Sequence, residues 1–512
     1  MQSKRIVKKL NISTVIHPLL FAIIPIFFLF SNNVNSVSPS EIIVPLLLVI
    51  IIAFLIWIGL SFVLKNRIKS GFITSLGLIL FFSYGHIYIL LEESQKDVDL
   101  SHLFLLIPTL ALFGIGTYYF IKTKKPLNNA TKIVNVVSVS ILVISFYGIG
   151  EYFITGVYGS DELGESSEEN RIQIANAESL PDIYYIILDA YAGSKALEII
   201  LNYDNSEFTD YLTEKGFYVT SDSFSNYPTT LFSISSTLNM KYLNYLTEIK
   251  GIDSEDRKEI FQMSQDNLVV QNLKSKGYQI FSIEAGTFYT KLKNADFNVC
   301  AKNDSTTSQF STMLIRTSIL NPIHVKIFSG EYREKILCGF SELKQIADGN
   351  DGPKFVFAHL MIPHRPYLFG PNGEPINPKI LTNNDKIERE DHDLYLGQLK
   401  FANKKIQEVV EKLTETDTPP VIIIQSDHGM RFGEADNRYE DRLKRFNNFK
   451  AYYFPGKGQS LEFETTTPVN SFRILFNLYF DEQYELLEDR IYFNNYQKPY
   501  QFRDVTDIII KN

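Results

Sequence analysis

Four groups with metal-binding or acid–base chemistry stand at the ends of three apolar runs in this sequence. Asp427 and His428 follow VIIIQ, a run bounded upstream by Pro419 and Pro420. Asp189 follows IYYIIL, and His359 closes KFVFAH. Asp offers a hard oxygen and His a borderline nitrogen, a pairing that suits zinc or manganese. Thr230 stands just before a stretch with helical spacing, where its hydroxyl would face the positive end of the helix dipole. A Thr hydroxyl is a weak nucleophile near neutral pH unless a metal or base activates it. Asp189, Asp427 and His428 are the groups that could hold such a metal. Each also has a plain structural alternative. Thr230 could cap a helix, and Asp427-His428 could be a polar turn. Taken together, the pattern favours the nucleophile and its ligands.

These groups can meet only if the runs that carry them are neighbouring strands. Short continuous apolar runs fit strands buried on both faces. We expect strands at Ile183–Leu188, Gly216–Val219, Tyr278–Ile283, Lys354–His359, Val421–Gln425 and Lys450–Phe454. Between them, helical spacing covers 193–214, Leu231–Tyr242, Asn267–Lys276, Asp391–Leu413 and Val469–Phe480. This alternation predicts an α/β domain with a mainly parallel sheet between helices. In such sheets, ligands bind at the carboxyl ends of the strands. Gly429 would let the chain turn away from the last of these ends without a Cβ in the way.

The 512 residues are too many for one core of typical size, and the net charge of −8 argues against nucleic acid as a partner. Residues 1–155 are dominated by apolar runs. Five of them, Ile12–Ser31, Ile42–Leu64, Phe72–Leu91, Leu103–Ile121 and Ile133–Ile154, reach the roughly 20 residues that a bilayer crossing needs. Basic residues alternate along the connections. Lys4, Arg5, Lys8 and Lys9 precede the first run, Lys65, Arg67 and Lys69 follow the second, and Lys122, Lys124, Lys125 and Lys132 lie between the last two. The two intervening loops hold only Lys96. The positive-inside rule therefore predicts a cytoplasmic amino terminus and an exterior domain after the fifth span. His17 and His86 lie in or beside these runs and are expected to be packed or interfacial residues. The polar, acidic stretch 156–179 is expected to be a linker, with the exterior domain over 180–512. Cys300 and Cys338 both fall in that domain, where a disulfide can persist. Bridging residues 38 apart is worth about 4 kcal/mol on the chain-entropy model.

Four stretches carry a family resemblance: PDIYYIILDAY at 181, SNYPTTLFSISSTLN at 225, KFVFAHLMIPHRPY at 354 and VIIIQSDHGM at 421. In order and spacing, residues 181–512 resemble the exterior domain of sulfatase-like membrane proteins of the alkaline phosphatase superfamily. That group includes lipoteichoic acid synthases and lipid A phosphoethanolamine transferases, whose anchor the five-span region also resembles. The resemblance implies one divalent metal (manganese, zinc or magnesium) held by Asp189, Thr230, Asp427 and His428. Thr230 would attack a phosphoryl or sulfuryl centre and carry the group. His364 would contact substrate or aid the leaving group, and His359 would do similar work or merely cap its strand. Arg365 and Arg431 would neutralise a bound anion, or be solvated surface arginines.

Two departures bear on the chemistry. No Cys/Ser-x-Pro-x-Arg motif is present, which argues against sulfate ester hydrolysis. Asp189 is followed by Ala190 rather than a second Asp, which favours one metal over two. The expected function is thus a transferase of the plasma (inner) membrane with a periplasmic or extracellular catalytic domain. It would move a phospholipid head group, of phosphoglycerol or phosphoethanolamine type, to an envelope glycan or lipid. A phosphate or sulfate ester hydrolase is the alternative, and a non-catalytic envelope binding protein a third reading.

Overall fold

The structure is a computed structural model that describes residues 14–34, 37, 39–94, 102–158, 180–285, 290–300, 309–349, 352–376, 389–430, 439–457, 467–494 and 497–510. The chain forms two compact units, Met1–Glu169 with Asn303–Val325, and Asn170–Lys302 with Lys326–Asn512.

The first unit holds helices α1 (His17–Asn32), α2 (Ile43–Leu64), α3 (Arg67–Ser94), α4 (His102–Lys122) and α5 (Asn128–Tyr158). Four helical segments, Pro39–Leu64, Arg67–Leu91, His102–Lys122 and Asn128–Gly150, are long and apolar enough to cross a membrane. The first expected span is a shorter apolar helix of 16 residues, about 24 Å long against a hydrocarbon core of about 30 Å. The start of that expected span, before Thr14, lies outside the described residues. His17 is packed, as expected. Its main-chain N–H donates to Asn135 Oδ1 on α5 (3.0 Å), and its Nδ1 lies 2.6 Å from Ser75 Oγ on α3. Helix Gln309–Arg316 also belongs to this unit, with Phe310 and Leu314 buried among Ile26, Phe30 and Phe82.

The second unit is built on a seven-stranded sheet. Its strands are β1 (Ile183–Leu188), β2 (Tyr218–Val219), β3 (Gln279–Ile283), β4 (Phe297–Val299), β5 (Lys354–Leu360), β6 (Val421–Gln425) and β7 (Lys450–Tyr453), in the order β2-β7-β6-β1-β5-β3-β4. The run from β6 to β4 is parallel; β7 lies antiparallel to β6, and β2 antiparallel to β7. The sheet is therefore mixed at this edge. The described parts of the β6–β7 connection, up to Met430 and from Tyr439 on, meet at the carboxyl edge of β6. Gly429 N–H donates to the Arg445 carbonyl (2.9 Å) and Ser426 N–H to that of Phe449 (2.7 Å). The chain thus enters β7 from the edge at which it left β6.

Strand alternation covers both faces. Ile183, Tyr185 and Ile187 pack with Ile234, Leu238, Val269, Leu273 and Phe472. Tyr184, Ile186 and Leu188 pack with Leu197, Phe340, Leu399 and Ile406. Each such buried aliphatic side chain contributes roughly 1.5–3 kcal/mol, so a one-residue slip in register would be prohibitive. The stretch 193–214 is two helices, Ser194–Leu201 and Ser206–Glu214. Asn202 closes the first in the left-handed region (φ 48°), and Asp204 Oδ1 accepts from Ser206 N–H at the start of the second. Helix Asn321–Gln345 was not anticipated, because its sequence lacks a clear 3.6-residue apolar stripe. Cys338 on this helix is bridged to Cys300 beyond β4.

Lys450, the first residue of β7, is fully buried, and its Nζ has no hydrogen-bond partner among the described residues. Burial lowers its pKa to about 8, against the raising influence of Asp489. Below pH 8 the amine is charged in both folded and unfolded chains, and the folded state bears the full desolvation cost. That cost shrinks between pH 8 and the unfolded value of about 10.4, and vanishes above it. Lys450→Met is therefore expected to stabilise the protein at pH 7 by up to about 3 kcal/mol, with the gain fading towards pH 10. Thermal unfolding of the detergent-solubilised chain across this range checks it; a gain that does not change with pH would contradict the assignment.

Candidate functional site

The strand period places the chemistry. His359 pairs in register with Ile187, and Ile187 with Gln425. Asp189 and Asp427 each lie two residues beyond that level. All three therefore continue the face that carries Tyr185, Phe357 and Ile423, at the carboxyl edge of adjacent strands. The chain then turns sharply at both carboxylates. Ala190 takes φ 61°, a left-handed conformation that costs a residue with a Cβ on the order of 1 kcal/mol. Its N–H donates to Asp427 Oδ1 (3.1 Å), and its carbonyl accepts from Tyr395 Oη (2.9 Å). Ser426 Oγ accepts from Tyr191 N–H (2.8 Å) and donates to the His428 carbonyl (2.7 Å). At Gly429 a Cβ would sit 2.1 Å from the Lys444 carbonyl oxygen. Close backbone approach, rather than a positive φ, is the reason for glycine there.

Asp189, His359, Asp427 and His428 are all buried. His359 Nε2 lies 3.2 Å from Asp189 Oδ2, and His428 Nε2 lies 3.4 Å from Asp427 Oδ2 and 3.8 Å from Asp189 Oδ1. Burial alone would push the Asp189 carboxyl up; His364, His359 and His428 around it hold it well below the usual carboxylate range. The orientation of His428 follows from chemistry. Its Nδ1 faces the Gly429 carbonyl at 2.8 Å, and a carbonyl can only accept. The proton is therefore on Nδ1, and in the neutral ring Nε2 turns a lone pair towards two carboxylates. Among the described residues, Asp189 Oδ1, Asp427 Oδ2 and His359 Nε2 have no hydrogen-bond partner. Buried acceptors that face one another in this way fit a shared cation. Ligand atoms of Asp189, His359 and Asp427 lie within 4.8 Å of one another, and the oxygen–nitrogen donor set suits zinc or manganese.

Thr230 completes the group. It is the first residue of helix Thr230–Leu238; Thr229 holds the cap position in an extended conformation. Thr230 Oγ1 is buried, 3.3 Å from His428 Nε2. With Nε2 as acceptor, the Thr230 hydroxyl donates to it. The cap and the inward-facing hydroxyl thus belong to different residues, and Thr230 has the inward one.

His364 lies nearby, its ring centroid 6.5 Å from that of His428. Its N–H donates to the Asp189 carbonyl (3.0 Å), and its own carbonyl accepts from Gln398 Nε2 (2.9 Å). Arg365 makes a 2.6 Å ion pair with Asp391 and approaches Tyr367. Arg431 lies outside the described residues. His359, expected to touch substrate or cap its strand, stands among the carboxylates. The sequence offered no sign of the supporting residues Ser426, Tyr395 and Thr290, since an isolated hydroxyl has no distinctive spacing.

The Sulfatase family model matches residues 181–470. No curated protein matches the chain. Among solved structures, the chain is similar to the C-terminal periplasmic domain of EcEptC from Escherichia coli. That likeness has 12% identity and a TM-score of 0.41, and covers 65% of this chain and 95% of that one. It is also similar to the integral membrane protein lipooligosaccharide phosphoethanolamine transferase A (EptA) from Neisseria meningitidis, at 13% identity and a TM-score of 0.39, over 90% and 95% of the two chains. A third is the periplasmic domain of phosphoethanolamine transferase EptC from Campylobacter jejuni, at 12% identity and a TM-score of 0.37, over 59% and 90%. The family match spans more than half of the sequence and takes in every candidate site residue, and the chain belongs to the sulfatase family of the alkaline phosphatase superfamily.

Proposed function

We propose that this protein is a membrane-anchored transferase that moves a phospholipid head group, of phosphoglycerol or phosphoethanolamine type, to an envelope glycan or lipid through Thr230. The observation that carries the reading is the Thr230 hydroxyl lying 3.3 Å from His428, beside two buried carboxylates with unpartnered oxygens. Asp189, Asp427, His428 and Thr230 would hold one divalent cation, which would supply Lewis-acid stabilisation of charge on the transferred group. Ala190 offers no further carboxylate, in keeping with a single ion. Thr230 is the nucleophile: its oxygen bonds to phosphorus as the bond from phosphorus to the diacylglycerol oxygen breaks. The Thr230 proton leaves to solvent, and the diacylglycerol oxygen takes up a proton, with His364 as the assisting group. An acceptor hydroxyl then displaces Thr230 from phosphorus. Arg365 and Arg431 add contacts to the anionic substrate. The helix dipole behind Thr230 contributes about 0.3–1 kcal/mol in the same direction.

The membrane helices support a lipid donor, because a freely diffusing hydrolase needs no anchor. In this reading residues 1–155 cross the membrane five times, 156–179 link, and 180–512 are the exterior catalytic domain. The Cys300–Cys338 bridge suits an oxidising exterior.

Asp189→Ala and Asp427→Ala should each abolish turnover and lose the metal while the chain stays folded; inductively coupled plasma mass spectrometry reads the metal, and full occupancy in either variant would show the site to be misplaced. Incubation with phospholipid should leave a head-group phosphate on the Thr230 peptide, seen by mass spectrometry. Thr230→Ala should lose the adduct and reduce turnover by several orders of magnitude, Thr230→Ser should keep measurable activity, and Thr229→Ala should be mild. Release of the head group to water alone, whatever acceptor is supplied, would favour the hydrolase. For the topology, a reporter fused after Asn512 should be active only outside the cytoplasm; activity only inside would reverse the orientation.

A further inference from the structure

The structure assigns Thr290 as the positioning residue for His359, turning the imidazole Nε2 into the carboxylate group so that His359 takes part in holding the cation. The inference rests on the metal-dependent reading above and extends it to a residue outside the family-like stretches. Thr290 Oγ1 lies 2.9 Å from His359 Nδ1, and both residues are buried. Thr290 comes from the loop after β3, the strand beside β5. The segment from Thr290 onward is pinned. Leu292 is fully buried and its N–H donates to Ser282 Oγ (3.4 Å), and Lys293 N–H donates to the Gln265 carbonyl (2.9 Å).

With Nδ1 held on that side, the opposite edge of the ring must face Asp189, and Nε2 lies 3.2 Å from Asp189 Oδ2. Among the described residues Nε2 makes no well-aligned hydrogen bond, close as it is to that oxygen. A nitrogen and an oxygen this close within a buried carboxylate group can serve as two ligands to one ion. The two histidines of the site are oriented by different chemistry. His428 faces a carbonyl, which fixes one tautomer. A hydroxyl can donate or accept, so Thr290 holds the His359 ring whether Nε2 carries a proton towards Asp189 or a lone pair towards a cation.

The test is zinc affinity of the purified full-length protein, measured by competition with a fluorescent chelator, without any substrate. Thr290→Val removes the hydroxyl at nearly constant volume and should weaken zinc binding by about 10- to 100-fold. Thr290→Ser restores the hydroxyl and should bind close to the wild-type affinity. His359→Ala should weaken binding to a similar degree, and the Thr290→Val/His359→Ala double variant should be little worse than His359→Ala alone, because the hydroxyl acts through the ring. Wild-type affinity in Thr290→Val, equal damage in the Val and Ser variants, or additive losses in the double variant would each overturn the assignment while leaving the proposed function standing. Absence of zinc binding by the wild type would overturn both.

Discussion

The site is governed by the close packing of buried carboxylates and imidazoles. Two carboxylates and the Nε2 lone pair of His428 are turned towards one another where water is excluded. Left alone, such an arrangement costs several kcal/mol per charge, and a protein with no use for it would turn one group away or supply a donor. The surrounding structure instead holds every member in place. The Gly429 carbonyl fixes one ring, Thr290 the other, and the Ala190 amide anchors Asp427. Buried acceptors held together by such supports fit a shared cation.

Holding that geometry imposes costs elsewhere in the fold. Ala190 sits in a conformation that side chains avoid, stabilised by Tyr395, which bonds both the Ala190 carbonyl and the Ala192 amide. Gly429 leaves no room for a Cβ because the chain from Lys444 to Asn447 crosses its backbone. The same crossing delivers β7 antiparallel to β6 and so makes the sheet mixed. The core must be rigid for these turns to keep their shape, and the alternating packing on the two faces of β1 provides that rigidity.

Much of this was legible in the sequence, for a physical reason. Strands buried on both faces need unbroken apolar runs, and the runs ending at Leu188 and Gln425 coincide with β1 and β6. Period-two alternation, together with the observed strand register, then places Asp189, His359 and Asp427 on one face. Three features were out of reach. The antiparallel direction of β7 depends on where a connection packs, which no local pattern records. Asn202 breaks an otherwise continuous helical stretch through its own backbone conformation. Thr290 becomes significant only when a loop from a neighbouring strand brings it to His359. The first expected span, Ile12–Ser31, corresponds to a described helix of 16 residues that begins at His17.

The cation is the element on which the account stands, and X-ray anomalous scattering at the zinc edge, from crystals of the full chain grown with zinc, tests it most directly. The account predicts one strong peak about 2.0–2.2 Å from oxygens of Asp189 and Asp427 and from His428 Nε2, with Thr230 Oγ1 facing it. An empty site in which a His428 or Asp side chain has rotated to make an ordinary hydrogen bond, or a zinc peak among other residues, would contradict it.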